Sequence, residues 1–285
     1  MEERSDFSPL ESQLAAHVRA HLGELRGSEA RVAQVVLDRG ADLVHLSVSD
    51  VAELAGTASS SVVRACQRLG FRGYQELKIA AVRQAPAPAP ADRRDPAARA
   101  LADTVRAARE ALDGIATTLP ADDLRAAAEV LDAASHVVLV GGGLSGAVVL
   151  DAAYRLRALG LLVDAPADLH TAQLAAAGLP PTAAFLAVSH TGSTPTVVDA
   201  ARRARSTGAP VIALTSYARS PLTETATHTL VAGGQDIVFG LETTASRIAH
   251  LAVVDALTLT LLAVRGERAE RALNLAADVA ADHTY

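Results

Sequence analysis

The run Ala85-Pro86-Ala87-Pro88-Ala89-Pro90-Ala91 constrains this chain more than any other stretch. Proline has no backbone N–H and its ring fixes φ. Three prolines at alternate positions therefore exclude a helix interior or a central strand and favour an extended spacer. The 285-residue chain is thereby divided. We read 1–84 as one domain, 85–124 as a Pro/Ala linker with a connecting helix, and 125–285 as a second domain.

Composition limits what those domains can be. Half of the residues are hydrophobic but only 3% are aromatic, and Trp is absent. The cores must come from many small side chains, chiefly Ala and Val. No uninterrupted apolar run approaches the ~18 residues of a membrane span. The longest candidate, Leu251–Val264, is broken by Asp255. The opening MEERSDFSP is acidic and polar, unlike a secretory signal. Cys66 is the only cysteine, which excludes a disulfide framework and a cysteine-based zinc site. A cytoplasmic protein with no cofactor, no metal and no membrane partner is expected.

The front part reads as all helix. Leu14, Val18, Leu22 and Leu25 recur at helical spacing, and Val32, Val35 and Val36 form a second stripe ending near Gly40. Ser47 and Asp50 make a capping box for a short helix that stops at Gly56. Ser59 can cap the next helix, which buries Val62, Cys66 and Leu69 and ends at Gly70. Its other face carries Ser60, Arg64 and Gln67, flanked by Ser61 and Arg68. The net charge of −6 argues against a globally basic nucleic-acid binder. Residues 56–84, however, hold Arg64, Arg68, Arg72, Lys78 and Arg83 against Glu76 alone. Short helix, glycine turn and polar-faced helix have the proportions of a helix-turn-helix, whose second helix enters the major groove. Arg64, with Ser59, Ser60, Ser61 and Gln67, would then lie near bases, while Arg68, Arg72 and Lys78 would hold phosphates. A plain helical bundle with a solvated basic face fits the same spacing.

Beyond the linker the period changes. A helical stretch at about 97–132 precedes strands at 136–140, 161–164, 183–188 and 211–215, with a fifth near 229–232, each separated by helical segments. That alternation implies a parallel sheet covered by helices on both faces, with ligands bound beyond the carboxyl ends of its strands. Two loops stand there. Gly141-Gly142-Gly143-Leu144-Ser145-Gly146 combines glycines, which allow close backbone approach, with a helix N-terminus and the Ser145 hydroxyl. Ser189-His190-Thr191-Gly192-Ser193-Thr194-Pro195 brings four hydroxyls to another helix start, with Pro195 suited to the first helical position. Such a cluster donates to the oxygens of a phosphomonoester, and the helix dipole favours its charge. An N-cap rich in Ser and Thr explains the second loop equally. The first also spells G-x-G-x-x-G, the dinucleotide fingerprint of Gly141, Gly143 and Gly146, with Asp164 placed as a ribose-binding acid.

The residues SVSDVAELAG and SSSVVRACQRLGFRGYQELKIA resemble the N-terminal domain of the RpiR/MurR family of bacterial transcriptional regulators. Val62, Val63, Arg64, Cys66, Leu69, Gly70, Phe71, Gly73, Tyr74, Leu77 and Lys78 carry the likeness. Ala58, Ser61 and Ala65 depart from the family's usual Ser, Thr and Phe. Residues from about 125 to 265 resemble a sugar isomerase (SIS) domain through Gly141, Gly143, Ser145, Ser189, Thr191, Gly192 and Thr194. The stretch Glu242–Leu251 with Asp255 and Leu257 is similar to a helix of the same family, with His250 in place of Gln. The resemblance implies an all-α helix-turn-helix domain followed by an α/β, flavodoxin-like SIS domain with a five-stranded parallel sheet.

It also implies a non-enzymatic regulator of carbohydrate genes, expected to be a repressor. Its partners would be operator DNA, a phosphorylated sugar and a second copy or three further copies of the chain. Gly143, Ser145, Ser189, His190, Thr191, Ser193, Thr194 and Glu242 would form the ligand site. Two alternatives stay open: a dinucleotide sensor, and an aldose–ketose isomerase using Glu242 or His190 as base.

Overall fold

The capping box at Ser47 forms as read: its hydroxyl accepts from the Asp50 amide at 3.1 Å and the Asp50 carboxylate accepts from the Ser47 amide at 2.8 Å. The computed structural model describes residues 12–83, 95–232 and 244–281. The 85–91 run and Glu242 lie outside the described residues. Those described fall into two compact units, divided between Asp103 and Thr104.

The front unit holds α1 (Ser12–His21), α2 (Ser28–Arg39), α3 (Val48–Leu54), α4 (Ser59–Arg68) and α5 (Tyr74–Arg83). Val18, Val32, Leu43, Val51, Val62, Cys66, Leu69 and Leu77 are buried together. Burial pushes the Cys66 thiol up to about 12, so it stays protonated and acts as a small apolar side chain. The buried Tyr74 directs its hydroxyl to the Leu43 and Leu46 carbonyls, at 3.2 and 3.0 Å. Leu22 departs from the helical stripe expected for it: it opens a 3-10 turn after α1.

The two central helices end alike. After α3, Gly56 N–H donates to Glu53 and Thr57 N–H to Ala52; after α4, Gly70 N–H donates to Gln67 and Phe71 N–H to Cys66. This paired pattern needs one left-handed residue beyond the C-cap, and Gly56 (φ 57°) and Gly70 (φ 86°) supply it. A sequence expectation fails between them. Ser59 is not the cap of α4 but its first residue; Ala58 holds the cap position and makes no side-chain cap bond.

The rest of the chain forms α6 (Pro96–Thr118), α7 (Ala121–Ala133), β1 (Val137–Gly141), α8 (Ser145–Ala158), β2 (Val163–Asp164), α9 (Leu169–Ala177), β3 (Ala184–Val188), α10 (Pro195–Ser206), β4 (Val211–Thr215), α11 (Pro221–Thr225), β5 (His228–Val231), α12 (Thr244–Arg265) and α13 (Glu267–Ala281). The single helix expected over 97–132 is two. Pro120, at ψ 141°, cannot continue α6 and becomes the N-cap of α7.

All five strands are parallel, in the order β2-β1-β3-β4-β5. β1, β3 and β4 are buried nearly throughout, as a sheet covered on both faces requires. Alanines 172, 176, 187, 200, 201, 204 and 213 pack around Phe185, so the core is built from small side chains. β2 is only two residues long, because Leu161 and Leu162 lie before the register Val137↔Val163 begins.

One helical stretch among the described residues, Ser246–Arg265, is long and apolar enough to cross a membrane by length and composition. It lies within α12, whose Ala249, Val253, Val254, Leu257 and Leu261 are buried in the protein. Arg155 bridges Asp151 at 2.7 Å and Asp255 at 2.9 Å, tying α8 to α12. Asp132 accepts from Arg265 at 2.8 Å and Arg268 at 2.6 Å, tying α7 to α12 and α13.

Candidate functional site

In the front unit, α4 buries Ser61, Val62, Ala65 and Cys66. The residues left facing solvent are Ser60, Val63, Arg64, Gln67 and Arg68. They repeat at three and four residues and so share one side of the helix. Ser59 is half-buried and reaches Ser49 Oγ at 3.5 Å. Arg72 is exposed beyond the helix, and its amide donates to Glu76 at 2.6 Å. That bond, with the Arg72 guanidinium, holds the Glu76 carboxyl below its ordinary range. Arg68 is paired with Glu29 at 3.2 Å and remains exposed.

Two of the residues assigned to this face do not belong to it. Lys78 is only 3% exposed, on the inner side of α5, so it is not presented to a phosphate backbone. Ser61 is 5% exposed; its hydroxyl accepts from Arg64 at 2.8 Å. It orients the arginine rather than facing outward. Helical spacing puts Ser61 beside the polar face and the basic run over 56–84 puts Lys78 on phosphates, but the first turn of α4 and the packing of α5 bury them. Arg31, which the sequence did not single out, donates from Nε to the Ala55 carbonyl at 2.7 Å and from its guanidinium to Gly56 at 3.0 Å. It clamps the turn that sets α4 against α3. No local motif marks such a residue, since its partners are carbonyls 24 and 25 positions on.

In the rear unit, the sheet order reverses direction between β1 and β3. This is the topological switch point at which doubly wound sheets bind ligands. The order is that of flavodoxin-like sheets, not the 3-2-1-4-5-6 order of dinucleotide-binding ones. Both candidate loops leave the sheet there, since Gly141 pairs with Val188. They approach closely: a Cβ on Gly142 would stand 3.9 Å from Thr194 Cγ2 and 3.5 Å from Leu169 Cδ1.

The hydroxyl loop is internally braced. Ser189 Oγ and Thr194 Oγ1 lie 3.1 Å apart. The Ser193 amide donates to Thr191 Oγ1 at 3.2 Å, and the Ser193 hydroxyl donates to the Thr191 carbonyl at 3.1 Å. Gly192 is buried at φ 60°, and any Cβ there would collide with the Ser220 side chain. Ser220 itself is buried and caps α11. Thr194 is the N-cap of α10 and Pro195 follows as its first residue.

The glycine loop contributes less backbone than expected. The Ser145, Gly146 and Ala147 amides donate to the carbonyls of 142, 143 and 144. What this loop offers is the half-buried Ser145 side chain beside the exposed Gly143. Asp164 is exposed at the end of β2. Asp168 caps α9 by accepting from the His170 and Thr171 amides, both at 2.9 Å, and from the Thr171 hydroxyl. That hydroxyl, with the two amides, holds the Asp168 carboxyl below its ordinary range.

Three residues join this site without a sequence signal. Ser216, just beyond β4, lies 2.9 Å from His190 Nδ1 and 3.0 Å from His250 Nε2. Thr215 Oγ1 donates to the His190 carbonyl at 3.0 Å. His250, noted in the sequence only as standing in place of Gln, is 2% exposed and part of this chain of bonds. Among the described residues, no group of three or more His, Cys, Asp or Glu suited to a metal occurs.

Sequence comparisons agree with both halves. The helix-turn-helix domain of the rpiR family matches residues 12–86, and the SIS domain matches residues 130–260. An uncharacterized HTH-type transcriptional regulator of Caldanaerobacter subterraneus is 29% identical over 251 residues, 86% of this chain and 89% of that protein. The HTH-type transcriptional regulator HexR of Pseudomonas aeruginosa is 29% identical over 263 residues, 89% and 90% of the two chains. Among solved structures, the Vibrio vulnificus NanR protein complexed with ManNAc-6P superposes with a TM-score of 0.81 at 25% identity, covering 95% of this chain and 99% of that one.

Proposed function

Because the chain belongs to the rpiR family of helix-turn-helix transcriptional regulators, with a SIS domain behind the DNA-binding one, we propose that it represses carbohydrate genes under the control of a phosphorylated sugar. The exposed face of α4 reads the operator, with Arg64 and Gln67 at base edges and Arg68 and Arg72 on phosphates. The chain acts as a symmetric oligomer on paired half-sites. Effector and operator bind different populations of the protein, so each weakens the other equally.

The observation that carries the effector reading is the approach of the Gly142 loop to Thr194 at the switch point of the sheet. Ser189, Thr191, Ser193 and Thr194 supply neutral donors at the start of α10, whose dipole favours an anion. Ser145, half-buried at the start of α8, is assigned to the same site. Glu242 is assigned to this ligand site from the sequence alone. No proton-transfer role is assigned to His190 or Glu242. The ManNAc-6P bound by the Vibrio relative supports an effector among hexose 6-phosphates and their N-acetyl forms.

Thermal stabilisation of the full chain tests this reading against phosphorylated hexoses, pentoses and amino sugars, with nicotinamide dinucleotides alongside. A ligand at 100 times its dissociation constant adds ~2.7 kcal/mol. The expected hit is a sugar phosphate that also releases DNA from the intergenic region beside the gene. Ser189→Ala and Thr194→Ala should lose that response and keep DNA binding. A dinucleotide-only hit, abolished by Asp164→Ala, overturns the assignment.

A further inference from the structure

We propose that Ser216 and His250 are positioning residues of the effector site: they fix the ring orientation and tautomer of His190 and, through it, select a sugar phosphate over phosphate alone. The proposal rests on the reading of the 189–194 loop as a phosphate cradle.

A serine hydroxyl has one proton to donate and can otherwise only accept. Ser216 Oγ lies 2.9 Å from His190 Nδ1 and 3.0 Å from His250 Nε2. It cannot donate to both rings at once. When it donates to one imidazole, the other must donate to it. The protonation pattern of His190 is therefore coupled to that of His250, although their ring centroids are 6.3 Å apart.

His250 is well suited to hold one state. It is 2% exposed on α12, beside the buried Ala249 and Val253, where an unbonded ring nitrogen is costly. The loop residue at the other end is clamped as firmly. The His190 carbonyl accepts from the Ser216 amide and from Thr215 Oγ1, both at 3.0 Å. The Tyr217 ring meets the His190 imidazole edge-on at 5.7 Å.

Main chain, side chain and ring contacts thus all restrain one residue between Ser189 and Thr191. A phosphate cradle needs only the hydroxyls and amides of its own loop. An oriented imidazole within that loop adds recognition of what the phosphate is attached to: it fixes where a sugar hydroxyl can pair, and an acetamide carbonyl or N–H distinguishes a donor nitrogen from an acceptor.

The experiment is calorimetric titration of the full chain with inorganic phosphate and with the 6-phosphates of glucose, N-acetylglucosamine and N-acetylmannosamine. The 15N shifts of the His190 imidazole are recorded in parallel. In the unaltered protein a sugar phosphate should bind more tightly than inorganic phosphate, and His190 should show one tautomer. Ser216→Ala and His250→Ala should cut the sugar-phosphate affinity about tenfold, as loss of an oriented hydrogen bond allows, and leave inorganic phosphate binding unchanged. The His190 signal should become a mixture of tautomers.

His250→Gln should restore most of the margin, since its amide can donate to or accept from Ser216. This variant also separates loss of the relay from loss of folding. Equal losses for inorganic and sugar phosphate, a His190 tautomer indifferent to Ser216, or no sugar phosphate exceeding inorganic phosphate each overturn the proposal. A Thr194→Ala protein that still binds inorganic phosphate overturns the cradle reading instead, and the tautomer of His190 then reports on the relay separately.

Discussion

Under the proposed function, the two halves would meet anions in opposite ways. The α4 side extends a long cation, Arg68, with Arg72 exposed just beyond the helix, from a frame whose other side is fixed in a core. The 189–194 loop uses short hydroxyls that already bond one another. Flexible cations suit a polymer of phosphates, where counterion release drives binding and geometry tolerates variation. Preorganised neutral donors suit one phosphate, where little freedom is left to lose on binding. The same charge on the ligand thus calls for different side chains according to how often it repeats.

Salt should separate the halves most widely. Between 50 and 200 mM salt, duplex DNA affinity should fall by about 10³-fold or more if six or more phosphates are contacted. Sugar-phosphate affinity, measured on the same preparation, should change far less. Equal salt slopes break the comparison.

A core substitution should come next. Phe185 is fully buried in the rear unit, and Phe185→Ala should cost ~3–5 kcal/mol there. Differential scanning calorimetry should show one transition lowered while that of the front unit stays in place. A shift of both transitions would mean the units do not unfold separately.

Arg64→Ala should then weaken specific DNA binding by ~1–3 kcal/mol if it reads a base. Lys78→Ala, at a buried position, should instead lower the melting temperature of the front unit. The reverse pattern would restore Lys78 to the DNA face.

The smallest effect concerns the cap of α9. Because the folded Asp168 carboxyl titrates below its ordinary range, its contribution is present above that range and is lost as pH falls through the lowered value. Asp168→Asn should flatten that part of the acid stability profile of the rear unit, read by circular dichroism. An unchanged profile removes the cap from the account.

Much of this was legible beforehand. The capping box at Ser47, the glycine stops at 56 and 70, and Pro195 at the start of α10 are local features set by neighbours within a few residues. The strands announced themselves as short apolar runs because a doubly covered sheet tolerates little else. Errors arose where an adjoining turn or the packing of a whole helix competed with local pattern. Ser59 met the composition of a cap, yet the turn after Gly56 placed it one residue inside the helix. Lys78 met the pattern of an exposed cation, yet the packing of α5 buried it.

The sequence by itself determined the helical and the alternating halves and the two loops at the carboxyl edge of the sheet. Periodicity, caps and breakers are properties of nearby residues, and nearby residues are what a sequence displays. Only the tertiary structure decided that Arg31 holds the turn before α4, that Lys78 is buried, and that His250 reaches His190 through Ser216. Those partners are brought together by the packing of α2 against the end of α3 in one unit, and of α12 beside the sheet in the other. Hydrogen bonds act over about 3 Å whatever the separation along the chain, so the three imidazole and hydroxyl groups become one unit only once the sheet and α12 are in place.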